Sequence, residues 1–330
     1  MWNILFAVQL ASSLTPQTWI GDSLGTIGNL TLKNITLPGT HDSGTYYLTD
    51  IPMPGDQPLI WEALFKLAEL LNEDVAVVAK KWAQSQDKTF YQQMQGGIRY
   101  FDLRSGWNRT TKQWVTFHFL EGTMVRYLLQ NITQYLIDYP KEIVVVEMSH
   151  FDGNPTKNDI TELSNMVQDI LGPYLYPVDY SLNFTINQMV SSGKRALVTM
   201  ESGFDNITIW SGDAIHNTYA DTADLTEMIA YNNKTVQAFM NSSHPNQYFK
   251  ISWTLTPDST VILDSIEPWK PQNLIALADT ANKALPSFYN SISKNGWRMG
   301  NILIIDHFEK SQIMTVVWAM NGLGVSLKTE

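Results

Sequence analysis

The chain has 330 residues, a net charge of −10 and no cysteine, with 44% hydrophobic and 16% charged residues. That length suits one large domain; a barrel of alternating strands and helices takes about 250 residues. The acidic balance argues against a nucleic-acid partner and against attachment to anionic membranes by charge, and the lack of cysteine excludes disulfides, thiolate metal sites and cysteine nucleophiles.

Residues 1–13 come first. Met1 to Leu10 is mostly apolar and Ala11-Ser12-Ser13 supplies small residues at a cleavage spacing. The segment resembles a short secretory signal, although no lysine or arginine precedes Lys33; the alternative is a buried N-terminal segment. Glycosylation sequons at Asn29, Asn34, Asn108, Asn131, Asn183, Asn206, Asn233 and Asn241 favour a secretory route, hence a secreted or lumenal location. No later run has the about 20 apolar residues of a membrane span, and no hydrophobic anchor tail ends the chain.

Strand-like runs follow at Asn34–Leu37, Ile98–Leu103, Val115–Phe119, Ile143–Met148, Arg195–Met200, Ile207–Trp210, Tyr248–Trp253 and Asn301–Ile305. Several, Ile143-Val144-Val145-Val146 above all, are apolar throughout, as in strands covered on both faces. Helical patterns intervene at Leu59–Leu71, Met124–Ile137, Ile160–Leu171, Thr222–Met240 and Lys270–Ser291. The alternation predicts an α/β fold, a TIM-type (β/α)8 barrel expected to be irregular, as a single domain over 14–330. An open doubly wound sheet is the structural alternative, but no Gly-rich phosphate loop follows the first strand.

Leu59–Leu71 has little polar surface. It is either a helix packed on the barrel wall or an interfacial helix that dips Trp61 and Phe65 into lipid, a peripheral membrane contact made by apolar side chains.

Three apolar runs end in ionisable groups. Leu37 to Gly44 reaches His41 and Asp42; Gly97 to Arg104 reaches Asp102 and Arg104; Trp114 to His118 ends in a second histidine. Histidine titrates near neutrality and serves as acid or base. Two imidazoles steadied by carboxylates, with a guanidinium fork, would suffice for acid–base chemistry on a phosphate ester without a metal. The plainer alternatives are hydrogen-bonded structural histidines and an Asp102–Arg104 salt bridge. No His-x-x-x-His or clustered-carboxylate spacing supports a metal, and no cofactor is expected. Asp306 ends the last strand; in a barrel that strand pairs with the first, which would bring Asp306 beside His41. His150 ends the strand Ile143–Ser149, while His216 and His244 sit in polar, surface-like context.

These motifs resemble the X domain of phosphatidylinositol-specific phospholipases C. Leu37 to Gly44 is similar to the family's P-G-[ST]-H-[DN]-S loop and Gln92 to Arg104 to its second signature. His118, Glu142 to Phe151, Leu255-Thr256-Pro257 and Asn301 to Phe308 follow in the family's order. The resemblance implies a TIM-type barrel that cleaves the glycerophospho-bond of phosphatidylinositol or a related glycosylated inositol lipid. Carried over by position, it implies His41 as base on the inositol 2-hydroxyl and His118 as acid on the diacylglycerol oxygen. Asp306 would orient His41, Asp42 would support Arg104 and His118, and a 1,2-cyclic inositol phosphate would be the first product. Calcium-dependent members carry Asn after the first histidine and Asp at the position of Arg104; Asp42 and Arg104 match the metal-independent branch. On the head-group side, where some members carry basic residues, this chain places Ser149, His150 and Glu201, and Trp253 joins them as an expected substrate contact. A different head group, or a non-catalytic lipid- or glycan-binding barrel, are the alternatives. The protein is expected to be a monomer.

Overall fold

The computed structural model describes residues 14–53, 58–180, 183–201, 209–241, 247–297 and 299–324. The signal-like segment, His244, Asn206 and the first half of the strand expected at Ile207–Trp210 lie outside them.

The strands are β1 (Leu37–Thr40), β2 (Pro52–Met53), β3 (Tyr100–Asn108), β4 (Gln113–Met124), β5 (Val144–Asp152), β6 (Ala196–Met200), β7 (Trp210–Ser211), β8 (Ile215–Thr218), β9 (Tyr248–Trp253) and β10 (Ile302–Ile305). The helices longer than four residues are α1 (Pro58–Leu71), α2 (Val75–Ala83), α3 (Phe90–Gln95), α4 (Val125–Asp138), α5 (Lys157–Leu171), α6 (Ile186–Ser192), α7 (Leu225–Met240), α8 (Ser259–Asp264), α9 (Leu274–Lys294) and α10 (Ile313–Met320). Their starts are chemically marked. Thr89 and Gln92 form a capping box on α3, as do Thr156 and Asp159 on α5 and Thr185 and Gln188 on α6.

The sheet runs β7-β6-β5-β3-β1-β10-β9-β8 with parallel neighbours throughout. First and last strands pair as the barrel expectation requires, Leu37 opposite Ile302 and Thr40 opposite Ile305. Among the described residues the path does not join β7 to β8, so the barrel is irregular and open at one seam.

The run around His118 is not a barrel stave. β4 pairs antiparallel with β3, Ser105 opposite Thr116, and with the short β2. His118 therefore enters from the middle of a hairpin arm rather than from a strand end. An apolar run cannot say by itself whether its partner is parallel or antiparallel. β8 and helices α2, α3, α6, α8 and α10 carry too short a periodic signal to stand out in the sequence.

Period-two alternation decides what each strand offers to each side. Phe101, Leu103, Val144, Val146, Ile251, Trp253, Leu303 and Ile305 belong to the large core under the helices. Their neighbours Tyr100, Ile143, Val145, Tyr248, Ile302 and Ile304 belong to a second core, which also holds Trp19, Ile20 and Ile35. The second core plugs one end of the barrel. Continued along each strand, the same parity carries Asp102 and Arg104, Glu147, Lys250 and Asp306 towards the other end. Gly39 lets β1 lie this close to its neighbours, since a Cβ there would sit 2.8 Å from side chains of both Ile304 and Tyr100.

The plug is tied to the wall by Arg99, which is fully buried. Its Nη2 lies 2.6 Å from Glu142 Oε2 and donates to the carbonyls of Pro16 and Gln17. This arginine, embedded in the second motif, is architectural.

Candidate active site

Four chain segments meet at the C-terminal ends of β1, β3 and β10 and in the β4 arm. His41 Nδ1 lies 2.9 Å from Asp306 Oδ1, across the β1–β10 pairing. Asp42 sits at the centre, with Oδ1 2.9 Å from Arg104 Nε and Oδ2 3.5 Å from His41 Nε2 and 3.4 Å from His118 Nδ1. No well-aligned hydrogen bond reaches either Asp42 oxygen; three nitrogens of basic side chains ring it instead. His118 Nδ1 is 2.8 Å from the carbonyl oxygen of Ala83, so that nitrogen carries the proton of the neutral ring and Nε2 keeps a lone pair.

Backbone strain gathers at the same place. Asp42 has φ 41°, Phe119 59° and His307 46°, a region side-chain-bearing residues seldom occupy. Such outliers persist where the surroundings over-determine them, commonly at functional sites. Buried amides hold the turn: Gln86 Nε2 donates to the carbonyls of His41 and Ile305, and Gln93 Nε2 to that of Ser43.

The slot is about 40 Å³ and is lined by His41, Arg104, His118, Tyr219, Thr256 and Asp306 among others. Pockets that enclose a drug-sized ligand take roughly 300–1,000 Å³, so this one fits the reacting group and not a whole lipid head. Tyr219 stacks beside His41 at 6.4 Å between ring centroids and shares a hydrogen bond with the Thr256 hydroxyl.

The two imidazoles are tuned in opposite directions. Burial works against charge on His41, but Asp42 and Asp306 outweigh it and push its pKa up to about 9. For His118 burial prevails, helped by Arg104 and His41 against Asp42, and its pKa falls to about 4. Burial disfavours the Asp42 carboxylate too, yet Arg104, His41 and His118 hold it well below the ordinary range. At neutral pH His41 is therefore charged and His118 neutral.

Beneath the slot is a second polar layer that sequence reading missed. Lys250, buried on β9, binds Glu147 and lies 3.6 Å from Asp102 Oδ1; the Tyr100 hydroxyl donates to Glu147. Burial opposes its charge, but Asp102 and Glu147 raise its pKa, so the ammonium stays charged. The signal was present: a lysine inside Tyr248–Trp253, on the parity of the barrel interior. Lys250→Met leaves the buried carboxylates of Glu147 and Asp102 without the cation between them. It is expected to cost about 3 kcal/mol, measured by denaturant unfolding. Adding Glu147→Gln should return part of that loss.

His41, His118, Asp42, Arg104, Asp102 and Asp306 are thus brought together, with Asp102 tied to the layer below. The expected head-group residues are not. Trp253 is fully buried on the helix side of β9, donating to the Ala281 carbonyl at 2.8 Å and packing on Phe288. Its parity, opposite to Lys250, excludes it from the interior. Ser149, His150 and Glu201 do not line the slot: Ser149 Oγ pairs with His150 Nδ1 at 2.9 Å, and exposed Glu201 accepts from the Phe151 amide. Trp61 also differs from expectation. It is 9% exposed and packs against Phe119, whereas Phe65, at 57%, faces out.

His41, Asp42 and Asp102 stand close enough to share a metal ion, with ligand atoms within 4.8 Å of one another. Arg104 already compensates Asp42 and Lys250 already compensates Asp102. A cation there would displace charge that the chain itself provides.

An irregular parallel α/β barrel with this slot at its strand ends has the fold of phosphatidylinositol-specific phospholipase C. The solved enzyme from Listeria monocytogenes superposes with a TM-score of 0.64 at 20% identity, covering 93% of this chain and 99% of that one. A Staphylococcus aureus phosphatidylinositol-specific phospholipase C gives 0.63 at 16%, covering 96% and 99%. No family model matches the chain. Curated relatives do: PI-PLC X domain-containing protein 3 of Homo sapiens is 25% identical over 311 residues, 92% of either chain, and protein 2 of Homo sapiens is 28% identical over 245 residues, 72% of this chain and 78% of the relative. The resemblance carried by the motifs therefore holds: the curated relatives are named PI-PLC X domain-containing proteins, and the solved structures of the same fold are bacterial phosphatidylinositol-specific phospholipases C.

Proposed function

We propose that this protein is a metal-independent phosphodiesterase that cleaves the glycerophospho-bond of phosphatidylinositol or a related inositol lipid. The observation that carries this reading is a buried carboxylate, Asp42, placed between two imidazoles and a guanidinium in one slot. A binding protein has no use for two oppositely tuned histidines around one anion site. In the proposed reaction His41 takes the proton of the inositol 2-hydroxyl and the freed oxygen attacks phosphorus. The bond to the diacylglycerol oxygen breaks as His118 protonates it, and a 1,2-cyclic inositol phosphate is released. Arg104 neutralises the phosphoryl oxygens, and Asp306 fixes the His41 ring. With a slot this small, the head-group ring rests outside it, against Tyr219.

The resting protonation has a chemical meaning on this reading. Charged His41 and neutral His118 are what cyclisation leaves behind, and what opening the cyclic phosphate requires: His118 takes a proton from water and His41 returns one to the 2-oxygen. An anionic phosphodiester beside His118 raises the pKa of that ring and favours the distribution needed for the first step.

Passage through a secretory compartment, a monomeric state and contact with the lipid surface through Phe65 and its exposed neighbours belong to the same proposal. Its test is turnover of phosphatidylinositol micelles in excess chelator, with mass analysis of products. Diacylglycerol and cyclic inositol phosphate are expected. Loss of turnover in chelator would refute the metal-free part, and turnover of other lipids alone would reassign the head group.

The pH dependence of kcat/KM reports the free enzyme's two titrations. It should show a broad plateau bounded near about 4 and about 9, the values of His118 and His41. A narrow bell with both limbs near 6.5 would contradict the opposed tuning.

A further inference from the structure

A second cavity, of about 660 Å³, lies beside the slot, between α1, α2 and β4. Its volume falls within the roughly 300–1,000 Å³ of small-molecule sites. Its walls are largely hydrocarbon: Trp61, Phe65, Val75, Ala76, Val77 and Leu120. Its two acidic members are engaged elsewhere. Asp50 pairs with Lys80 at 2.6 Å, and Asp74 caps α2 by accepting from the Ala76 amide.

Two elements run from this groove to the catalytic slot. β4 gives Leu120 to the groove and His118 and Phe119 to the slot. α2 gives Val75, Ala76 and Val77 to the groove and Trp82 to the slot, and its last carbonyl, of Ala83, holds His118. Val77 to Trp82 is about 7.5 Å of helix. The partition is two rings thick: Trp61 packs edge-on against Phe119 at 6.1 Å, and Phe119 stacks on His118 at 4.5 Å. The positive φ of Phe119 is the kink at which β4 hands its side chains from one cavity to the other.

We propose that this groove receives one hydrocarbon chain of the lipid substrate while the phosphodiester of the same molecule occupies the slot. The inference rests on the phosphodiesterase reading for the lipid's identity, and on the walls the two cavities share, β4 and α2, for its placement. A hydrocarbon chain fits because the walls present apolar area and both carboxylates are engaged. Exposed Ile51, Phe65 and Val77 extend that area outward.

The test is a titration of the full-length protein with cis-parinaric acid, a fluorescent fatty acid, without vesicles. Saturable binding is expected for the wild type and for His118→Ala. Binding should weaken at least about tenfold in Val77→Trp, which fills the groove, and in Val77→Glu, which charges it; Val77 is solvent-exposed enough for both to fold, as thermal unfolding would verify. Ile137→Trp, on an exposed position of α4, should bind as wild type. In a series of monomeric short-chain phosphatidylinositols, kcat/KM should rise about fourfold per methylene, and the rise should flatten in Val77→Trp. Absence of parinarate binding, binding indifferent to both Val77 variants, or turnover indifferent to chain length would overturn the groove. So would a change of oligomeric state in Val77→Trp by sedimentation, which would make the groove an interface between copies. Parinarate binding with no turnover of any phosphodiester would support the groove and count against the catalytic reading alone.

Discussion

His41→Ala and His118→Ala are each expected to lower kcat/KM on phosphatidylinositol by about 10²–10⁴, the usual worth of a positioned acid or base. The two losses should not multiply in the double variant, because both rings act through one charge centred on Asp42. Steady-state kinetics on micelles decides this, with circular dichroism to show that the folds survive. Activity within tenfold of wild type in either single variant would remove the slot from the chemistry. Stability should respond as well. His41 is raised from 6.5 to about 9, so its stabilising share is complete below about 6.5 and is lost as pH climbs through 9. In His41→Ala that alkaline decline should be smaller than in wild type.

Arg104→Met is expected to strike activity and stability together. Removing a charge aimed at the reacting phosphoryl group should cost about 10²–10³ in kcat. It also strips Asp42 of the cation 2.9 Å away, leaving a buried carboxylate with only imidazoles near it. Breaking a buried pair in this way costs about 3–5 kcal/mol. The double variant Asp42→Asn/Arg104→Met removes both charges and should regain most of that stability without regaining turnover. Arg104→Lys should keep more stability than activity, because an ammonium cannot present two parallel donors to a phosphoryl group. If Arg104→Met turns over substrate normally, the guanidinium is only Asp42's structural partner.

The chain order of motifs was enough to read the resemblance, the α/β barrel and the six ionisable residues that meet at its mouth. Local chemistry is what such motifs encode: a strand that ends in His-Asp at a turn with a nearby Gly, or in Asp-x-Arg on one strand face, is visible in a few consecutive residues. The β1–β10 neighbourhood, and with it Asp306 beside His41, followed from the closure rule for barrels, which applies even though the sheet stays open at another seam.

What depended on distant parts of the chain was not legible. Trp253 and Lys250 lie three residues apart on one strand, so parity places them on opposite sides, but only the assembled barrel shows which side is the interior. Whether Trp61 meets lipid or the barrel wall could not be read from the helix alone, because its exposed face depends on what packs against it, here Phe119 of a hairpin arm. The opposed tuning of His41 and His118 is likewise tertiary. It arises from burial and from charges that converge from four separate segments, and no stretch of sequence holds that sum. The linear chain determined which groups are available for chemistry; folding decided which of them carries the proton, because electrostatic energy depends on distance and burial, not on position in the chain.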